Sequence, residues 1–333
     1  PRSTTPKDYL LDENIEASNL PHENNHVPYE KANVEDQAYK DGKIAAKTIR
    51  DLKKLKANKE SFFLAAGFLK PHLPFNAPAK YWDMYDSNKI TPPVNNKFPA
   101  TAYNGAGNWY ELAKYKGVQK DFSEKPALNA TTFTMDAEMT TNLIHGYYAC
   151  VSYIDQQIGN VLQALEDLDL SENTIVIITS DHGFSLSDHN RWSKHNLFKV
   201  ENHVPLFIRV PGLSSSGKSD SFVELIDIYP TICELLGIEK PKQLEGMSLV
   251  QNIKDPNLIS KTTAYSRYTN GDMFISDNYA YSEWKYSEEG KVIGRMLYDM
   301  KNDPLQMENL SHLEKYEALM DSLSINIKSK KIY

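Results

Sequence analysis

Two consecutive stretches constrain this chain most: "YYACVSYIDQQIGNVLQALEDLDL" at residues 147–170 and "SENTIVIITS" at 171–180. In the first, Val151, Ile154, Ile158, Val161 and Leu165 recur at helical spacing on one face. In the second, a turn runs into a short apolar strand without interruption. A helix delivered into a buried strand is half of a βαβ unit. "HVPLFIRVPG" adds a strand ended by Pro-Gly, and "FVELIDIYPTICELLGI" adds a helix with Gly237 at its end. This alternation predicts an α/β fold, a central mixed and mostly parallel sheet flanked by helices.

The flanks follow the same reading. Residues 34–56 carry Ala38, Ile44, Ala45, Ile49 and Leu52 at helical spacing with Lys and Asp between them, an amphipathic helix. "SFFLAAGF" reads as a buried strand emptying into "LKPHLPFNAPAKYW", whose three prolines force an extended loop. Residues 87–130 read as an excursion with weak element signals. Beyond residue 262, aromatic-rich runs around "EEGK" signal a hairpin, and "LEKYEALMDSLSINIK" a closing helix. The expected division is an irregular polar segment (1–33), a main α/β domain (34–261) and a smaller C-terminal α+β subdomain (262–333) with antiparallel strands.

Length allows a main domain and a smaller one, since single cores stop growing near roughly 250–300 residues. A net charge of −7 without any Lys/Arg block excludes a nucleic-acid footprint. No run approaches the roughly 20 apolar residues of a membrane span. Cys150 and Cys233 stand in apolar, helical stretches without metal-ligand spacing and read as buried small residues. The chain opens on Pro1 and a structureless polar stretch, which reads as an internal point of a longer protein whose leader is removed or lies outside it.

The chemistry concentrates at strand exits, where ligands sit in open α/β sheets. Asp181 and His182 directly follow "TIVIITS". A carboxylate suits Ca²⁺ or Mg²⁺ and an imidazole suits Zn²⁺, so this pair alone leaves the metal open. Downstream, "RWSKHN" supplies Lys194, a compact cation, and His195, a proton donor. The "KPHLPF" loop supplies Lys70 and His72. Each residue alone is as consistent with a solvated surface or a turn. Together they outline an anion site over a metal, a metal-assisted hydrolase of an anionic ester.

Five segments in order, "FFLAAGFLKPHLPF", "GYYACVSYIDQQIGNVLQALEDLDLSENTIVIITSDHG", "WSKHNLFKVENHVPLFIRVPG", "VELIDIYPTICELLGIEKPKQLEGMSL" and "LYDMKNDPLQMENL", resemble type I sulfatases of the alkaline-phosphatase superfamily, closest to the iduronate-2-sulfatase-like branch. The resemblance implies that Asp181 and His182 coordinate one Ca²⁺, His182 standing where many relatives have Asn. It implies that Lys194 contacts the sulfate and His72 the ester oxygen, both catalytic. It gives His195 and Lys70 to substrate binding. His145 and His189 stay structural.

The family's N-terminal half, with an acidic metal-binding pair after the first strand, a C/S-x-P-S-R motif and a G-K-x-x-H-like stretch, has no counterpart in this sequence. The C/S-x-P-S-R motif, whose Cys or Ser becomes formylglycine, is absent: neither "CVSYI" nor "CELLG" carries its Pro and Arg. The expectation is therefore a sulfatase acting on a sulfated oligo- or polysaccharide, with a uronate- or rhamnose-containing glycan such as ulvan as the specific guess. Its formylglycine is expected on an N-terminal fragment of the same protein that remains associated, and its location is expected to be periplasmic or secreted. The alternatives are a phosphatase or phosphodiesterase of the superfamily and a non-catalytic relative that binds sulfated glycans. Aromatic residues such as Tyr81, Trp82, Trp109 and Trp192 could stack on sugars or sit in the core.

Overall fold

The polar opening stretch is not irregular throughout: Asp12–Asn19 forms a helix (α1) and Tyr29–Ala32 a strand (β1). The reason is one side chain that periodicity cannot reveal. The buried Glu30 carboxylate accepts the amides of Leu10 at 3.0 Å and Leu11 at 3.1 Å, Asn14 Nδ2 at 2.9 Å and Tyr39 Oη at 2.7 Å. It satisfies backbone donors at the start of α1 from outside the helix. The computed structural model describes residues 4–20, 26–107, 111–118, 135–213, 216–286 and 290–329.

Within these residues the chain forms two compact units. The first, Pro1–Val94 with Trp109–Thr174, continues with Lys40–Asn58 (α2), Phe75–Pro78 (β2), Ala79–Trp82 (α3) and Ala137–Asp167 (α4). The α2 helix begins later than its sequence pattern because Tyr39 is extended (φ −85°, ψ 166°), which leaves Ala38 in a 3₁₀ turn. Asp136 caps α4 through the amides of Glu138 at 2.9 Å and Met139 at 3.2 Å. Strands β1 and β2 pair in parallel, Tyr29 opposite Phe75.

The buried face of α4 is not the one its aliphatic spacing indicates. Leu143, Gly146, Cys150, Tyr153 and Gln157 are buried, whereas of the predicted face only Leu165 is buried, Val151 is 41 % exposed and Ile154, Ile158 and Val161 are half-buried. The small residues face β2 because the approach there is close. A Cβ on Gly146 would stand 2.9 Å from Phe75 Cβ and 2.8 Å from the Trp82 ring. Tyr81 and Trp82 belong to this core rather than to a sugar platform, while Trp109 lies outside the described residues. Burial pushes the Cys150 thiol up to about 12, and Cys233 is buried too, so both are inert small residues as expected.

"SFFLAAGF" is the clearest correction. Among the described residues, 61–68 join no ladder, and Phe63 is 82 % exposed. An extended run becomes a strand only when a neighbour takes its backbone hydrogen bonds.

The second unit, Asn95–Asn108 with Ile175–Tyr333, holds Val176–Thr179 (β3), Ser185–Leu186 (β4), Trp192–Ser193 (β5), Lys199–Asn202 (α5), Leu206–Arg209 (β6), Ile228–Leu236 (α6) and Val250–Lys254 (α7). It ends with Thr263–Tyr268 (β7), Gly271–Ser276 (β8), Tyr279–Lys285 (β9), Val292–Asp299 (β10) and Glu317–Ser329 (α8). Strand β3 pairs antiparallel with β6, and both are only half-buried, with Phe207 65 % exposed. Helices and strands thus mix as an α/β fold requires, yet the strands expected in one mostly parallel sheet occur as pairs. Gly237 ends α6 at φ 64°, as its sequence position predicts.

The C-terminal sheet runs β10-β9-β8-β7, all antiparallel, as the aromatic runs predict. The turn residues 287–289 lie outside the described set. One face packs Tyr281 and Leu297 against Met320, Leu323 and Ile327 of α8. The other packs Met273, Trp284, Met296 and Tyr298 against Ala102, Ala106, Leu197 and Phe198. Burying each large apolar side chain contributes about 1.5–3 kcal/mol, so this second layer fixes the chain just beyond Lys194. No helix among the described residues is long and apolar enough to cross a membrane.

Candidate active site

In the first unit, α2 positions the "KPHLPF" loop. The buried Asp41 carboxylate, one residue into α2, accepts Leu69 N at 2.7 Å and Lys70 N at 3.1 Å. The Lys70 and Leu73 peptide bonds to proline are both cis. Lys70 turns its ammonium onto the loop itself, donating to His72 O at 3.2 Å and to Pro74 O. In this geometry it braces the loop. His72 Nδ1 lies 2.7 Å from Leu73 O, so this nitrogen carries the proton, because a carbonyl only accepts. Its Nε2 faces Glu111 Oε1 at 3.1 Å. Glu111 carried no sequence signal: it sits in the Pro- and Asn-rich excursion and reaches His72 only through the fold. A groove of about 730 Å³ between α2 and α4 is lined by Asp36, Lys53 and Gln157 and by none of the candidate residues.

In the second unit, Asp181 and His182 stand at the carboxyl end of β3, as predicted. His182 Nδ1 lies 2.7 Å from Gly183 O and donates to it, which leaves the Nε2 lone pair available. That nitrogen is 3.7 Å from Asp181 Oδ2, and the Asp181 side chain is 87 % exposed. Two donors of different hardness therefore converge with the imidazole oriented from behind, as metal-binding histidines are. The Asp181 carboxylate fits part of a Ca²⁺ shell, which takes six to eight oxygen ligands, whereas the His182 nitrogen is a softer donor. Among the described residues no group of three or more His, Cys, Asp or Glu could hold a metal ion alone. Gly183 is required by space: a Cβ there would meet Val200 O at 2.1 Å.

Lys194 and His195 follow a short hairpin in which Ser185 pairs with Ser193 and Leu186 with Trp192. Trp192 is 1 % exposed and belongs to the core. Lys194 and His195 are half-buried, and the His195 ring lies 5.4 Å from that of Tyr268 at the end of β7. The backbone here is strained: Ser187, His189, Asn190, Ser193 and His195 all have positive φ, between 51° and 80°. Each such residue costs about 1–2 kcal/mol, and strain of this kind persists only where its surroundings over-determine it. Those surroundings include Arg191 and Glu201, both buried. Arg191 Nε lies 3.2 Å from Glu201 Oε1, which also accepts Ser185 Oγ at 2.7 Å. Arg191 further donates to Ala106 O, and to Lys194 O at 3.5 Å. Burial raises the Glu201 carboxyl, while Arg191 and Ser185 pull it back. Sequence reading missed this pair, since "RW" and "VEN" carry no motif.

His145 and His189 both hold backbone carbonyls. His145 Nε2 lies 2.8 Å from Trp82 O. His189 stacks on Phe198 at 4.0 Å, and its Nε2 lies 2.8 Å from Leu305 O. Burial lowers the His189 pKa below its ordinary 6.5. Burial likewise lowers those of His26 and His203. As pH falls past about 6.5, the unfolded chain therefore takes up protons that the folded one refuses, and stability drops. His189→Gln is expected to flatten part of the fall in melting temperature between about pH 7 and pH 5. An unchanged slope would contradict this account of His189.

Compared with known proteins, residues 4–238 match the family model described as Sulfatase, and residues 187–332 match the one described as N-sulphoglucosamine sulphohydrolase, C-terminal. Mouse iduronate 2-sulfatase is 28 % identical over 380 aligned residues, covering 91 % of this chain and 67 % of that protein. A sulfatase of Formosa agariphila is 30 % identical over 267 residues, covering 80 % and 49 %. The chain thus spans between about half and two thirds of the length of these relatives. A solved structure in complex with its substrate D-glucosamine-2-N,6-O-disulfate superposes at TM-score 0.70 with 19 % identity, covering 88 % of this chain and 71 % of that one. The phosphonate monoester hydrolase of Silicibacter pomeroyi superposes at 0.71 with 19 % identity, covering 89 % and 60 %, so the fold is shared beyond sulfatases. With a family model spanning most of its length, the chain belongs to the sulfatase family.

Proposed function

We propose that this chain supplies part of the active site of an enzyme that hydrolyses sulfate esters of a sulfated carbohydrate. The observation that carries the reading is the hairpin-tied pair of loops in the second unit: two metal donors at the exit of β3, and the Lys194 loop held to them through β4 and β5. Asp181 and His182 would contribute two ligands to a calcium ion, which when bound neutralises charge on sulfate oxygens. Lys194 would hold a sulfate oxygen by a charge-assisted hydrogen bond, strengthened by its half-buried setting. His72 would give the departing alcohol a proton from Nε2, which for that step must be protonated as well as Nδ1 and must leave its contact with Glu111 Oε1. His195 beside Tyr268 would meet the sugar.

The formylglycine nucleophile is assigned to a part of the protein outside these 333 residues, because neither cysteine stands in the required motif. An associated segment of that kind would also cover the unpaired 61–68 run and the exposed aliphatic side of α4. Within the carbohydrate class, a uronate- or rhamnose-containing polysaccharide such as ulvan is the finer proposal. A polymeric substrate of this kind implies an enzyme outside the cytoplasm, periplasmic or secreted.

The test is release of inorganic sulfate from sulfated polysaccharides by the full-length protein, with intact mass confirming the formylglycine. Sulfate release that disappears on calcium chelation and returns with added calcium supports the reading. A formylglycine-bearing protein that releases no sulfate, or that prefers phosphate esters and carries zinc, overturns it.

A further inference from the structure

We propose that the buried Arg191–Glu201 pair is the positioning device of the Lys194 loop, holding the strained segment 185–196 in the conformation that presents Lys194 and His195. The inference rests on the sulfatase reading for its effect on turnover, and on geometry alone for its effect on the loop. The β4–β5 ladder has only two residue pairs, too few to hold five non-glycine residues at positive φ. The constraint must come from elsewhere: His189 is anchored at the tip by Asn95 O, Leu305 O and the Phe198 ring, and the base on either side of it is joined by this pair.

Arg191 is 0 % exposed, and its guanidinium reaches in three directions: to Glu201, to Ala106 O and to Lys194 O. Glu201 closes the frame twice. Its carboxylate takes Ser185 Oγ at 2.7 Å, and its main-chain oxygen takes Gly183 N at 2.8 Å, two residues beyond Asp181. The turn itself is closed by Ser187 N on Arg191 O at 2.9 Å. One ion pair therefore joins the metal-donor turn, the hairpin, α5, residue 106 and the carbonyl of Lys194. A planar fork of donors meets all three acceptors at once, which a lysine's point charge cannot do. A buried pair of this kind adds little stability over an apolar core, so its value lies in selecting one conformation.

Four variants of the full-length protein test this: Arg191→Lys, Arg191→Met, Glu201→Gln and, as a control of similar destabilisation away from the loop, Leu323→Ala in the α8 core. For the Arg191 and Glu201 variants, kcat is expected to fall about 10–100-fold, the range for groups that orient a site without touching substrate, with KM changed far less. Amide exchange of residues 185–196 should accelerate in them but not in Leu323→Ala. Adding Ser187→Gly to Arg191→Lys should recover part of kcat, because glycine adopts φ 80° without strain. Unchanged loop exchange in all three overturns the proposal, as does equal acceleration in Leu323→Ala. If the wild-type protein releases no sulfate, the sulfatase reading fails, and the exchange data still decide whether the pair holds the loop.

Discussion

Lys194→Ala in the full-length protein is expected to lower kcat by about two to three orders of magnitude, the loss seen when one charge-stabilising donor is removed from a preorganised site. Sulfate is a weak base that gains little from general hydrogen bonding, so its binding and the charge that moves onto its oxygens depend on fixed cations. Lys194 follows a hairpin whose strand Trp192–Ser193 is buried, and its carbonyl is tied to Arg191. The backbone that carries the ammonium is therefore fixed before substrate arrives, which on the sulfatase reading makes deletion of the charge costly. Lys194→Arg should recover only part of the loss, because a planar fork does not replace a compact point charge. Steady-state kinetics on a sulfated oligosaccharide would check this, and a loss below about tenfold would remove Lys194 from the catalytic set.

Asp227→Ala is expected to destabilise the fold by about 3–5 kcal/mol, the cost of breaking a buried ion pair from one side. Asp227 is fully buried, and its carboxylate accepts Glu224 N at 2.8 Å, Met247 N at 2.8 Å and Lys261 Nζ at 2.6 Å. Its removal leaves two backbone donors unsatisfied and gives Lys261 only Glu224, at 2.7 Å. Asp227→Asn keeps an acceptor for the amides and should cost less. Urea unfolding would show a lowered midpoint at unchanged slope, and a shift worth under about 1 kcal/mol would refute the role.

Asp227 also marks the limit of local reading. In "FVELIDIYPTICELLGI" it passes for an ordinary position of an amphipathic helix, and the C-terminal end at Gly237 is legible because only a residue free at positive φ closes a helix that way. Its actual place is a 3₁₀ turn before α6, chosen by Met247 and Lys261, which lie 20 and 34 residues away. The same contrast appears in α4. Its helical period was readable, but the buried side was not: the aliphatic residues are conspicuous in sequence, whereas closeness to β2 selected Gly146 and Cys150.

At the candidate site, the strand-exit place of Asp181 and His182 was legible because ordered words carry it: an apolar strand and a turn at fixed offsets. Glu111 against His72, Asp41 under Lys70 and the Arg191–Glu201 frame were not. By itself the sequence determined the elements set by local period and capping: the helices, the antiparallel C-terminal strands, and the strand exit that bears Asp181 and His182. Only the tertiary structure decided which strands found ladders, which helix faces were covered, and which strained loop was held. The physical reason is that helical and strand periods arise between residues a few positions apart. A backbone group or buried charge, by contrast, is satisfied by whichever partner packing brings to it, as Ala106 is brought to Arg191 across 85 residues.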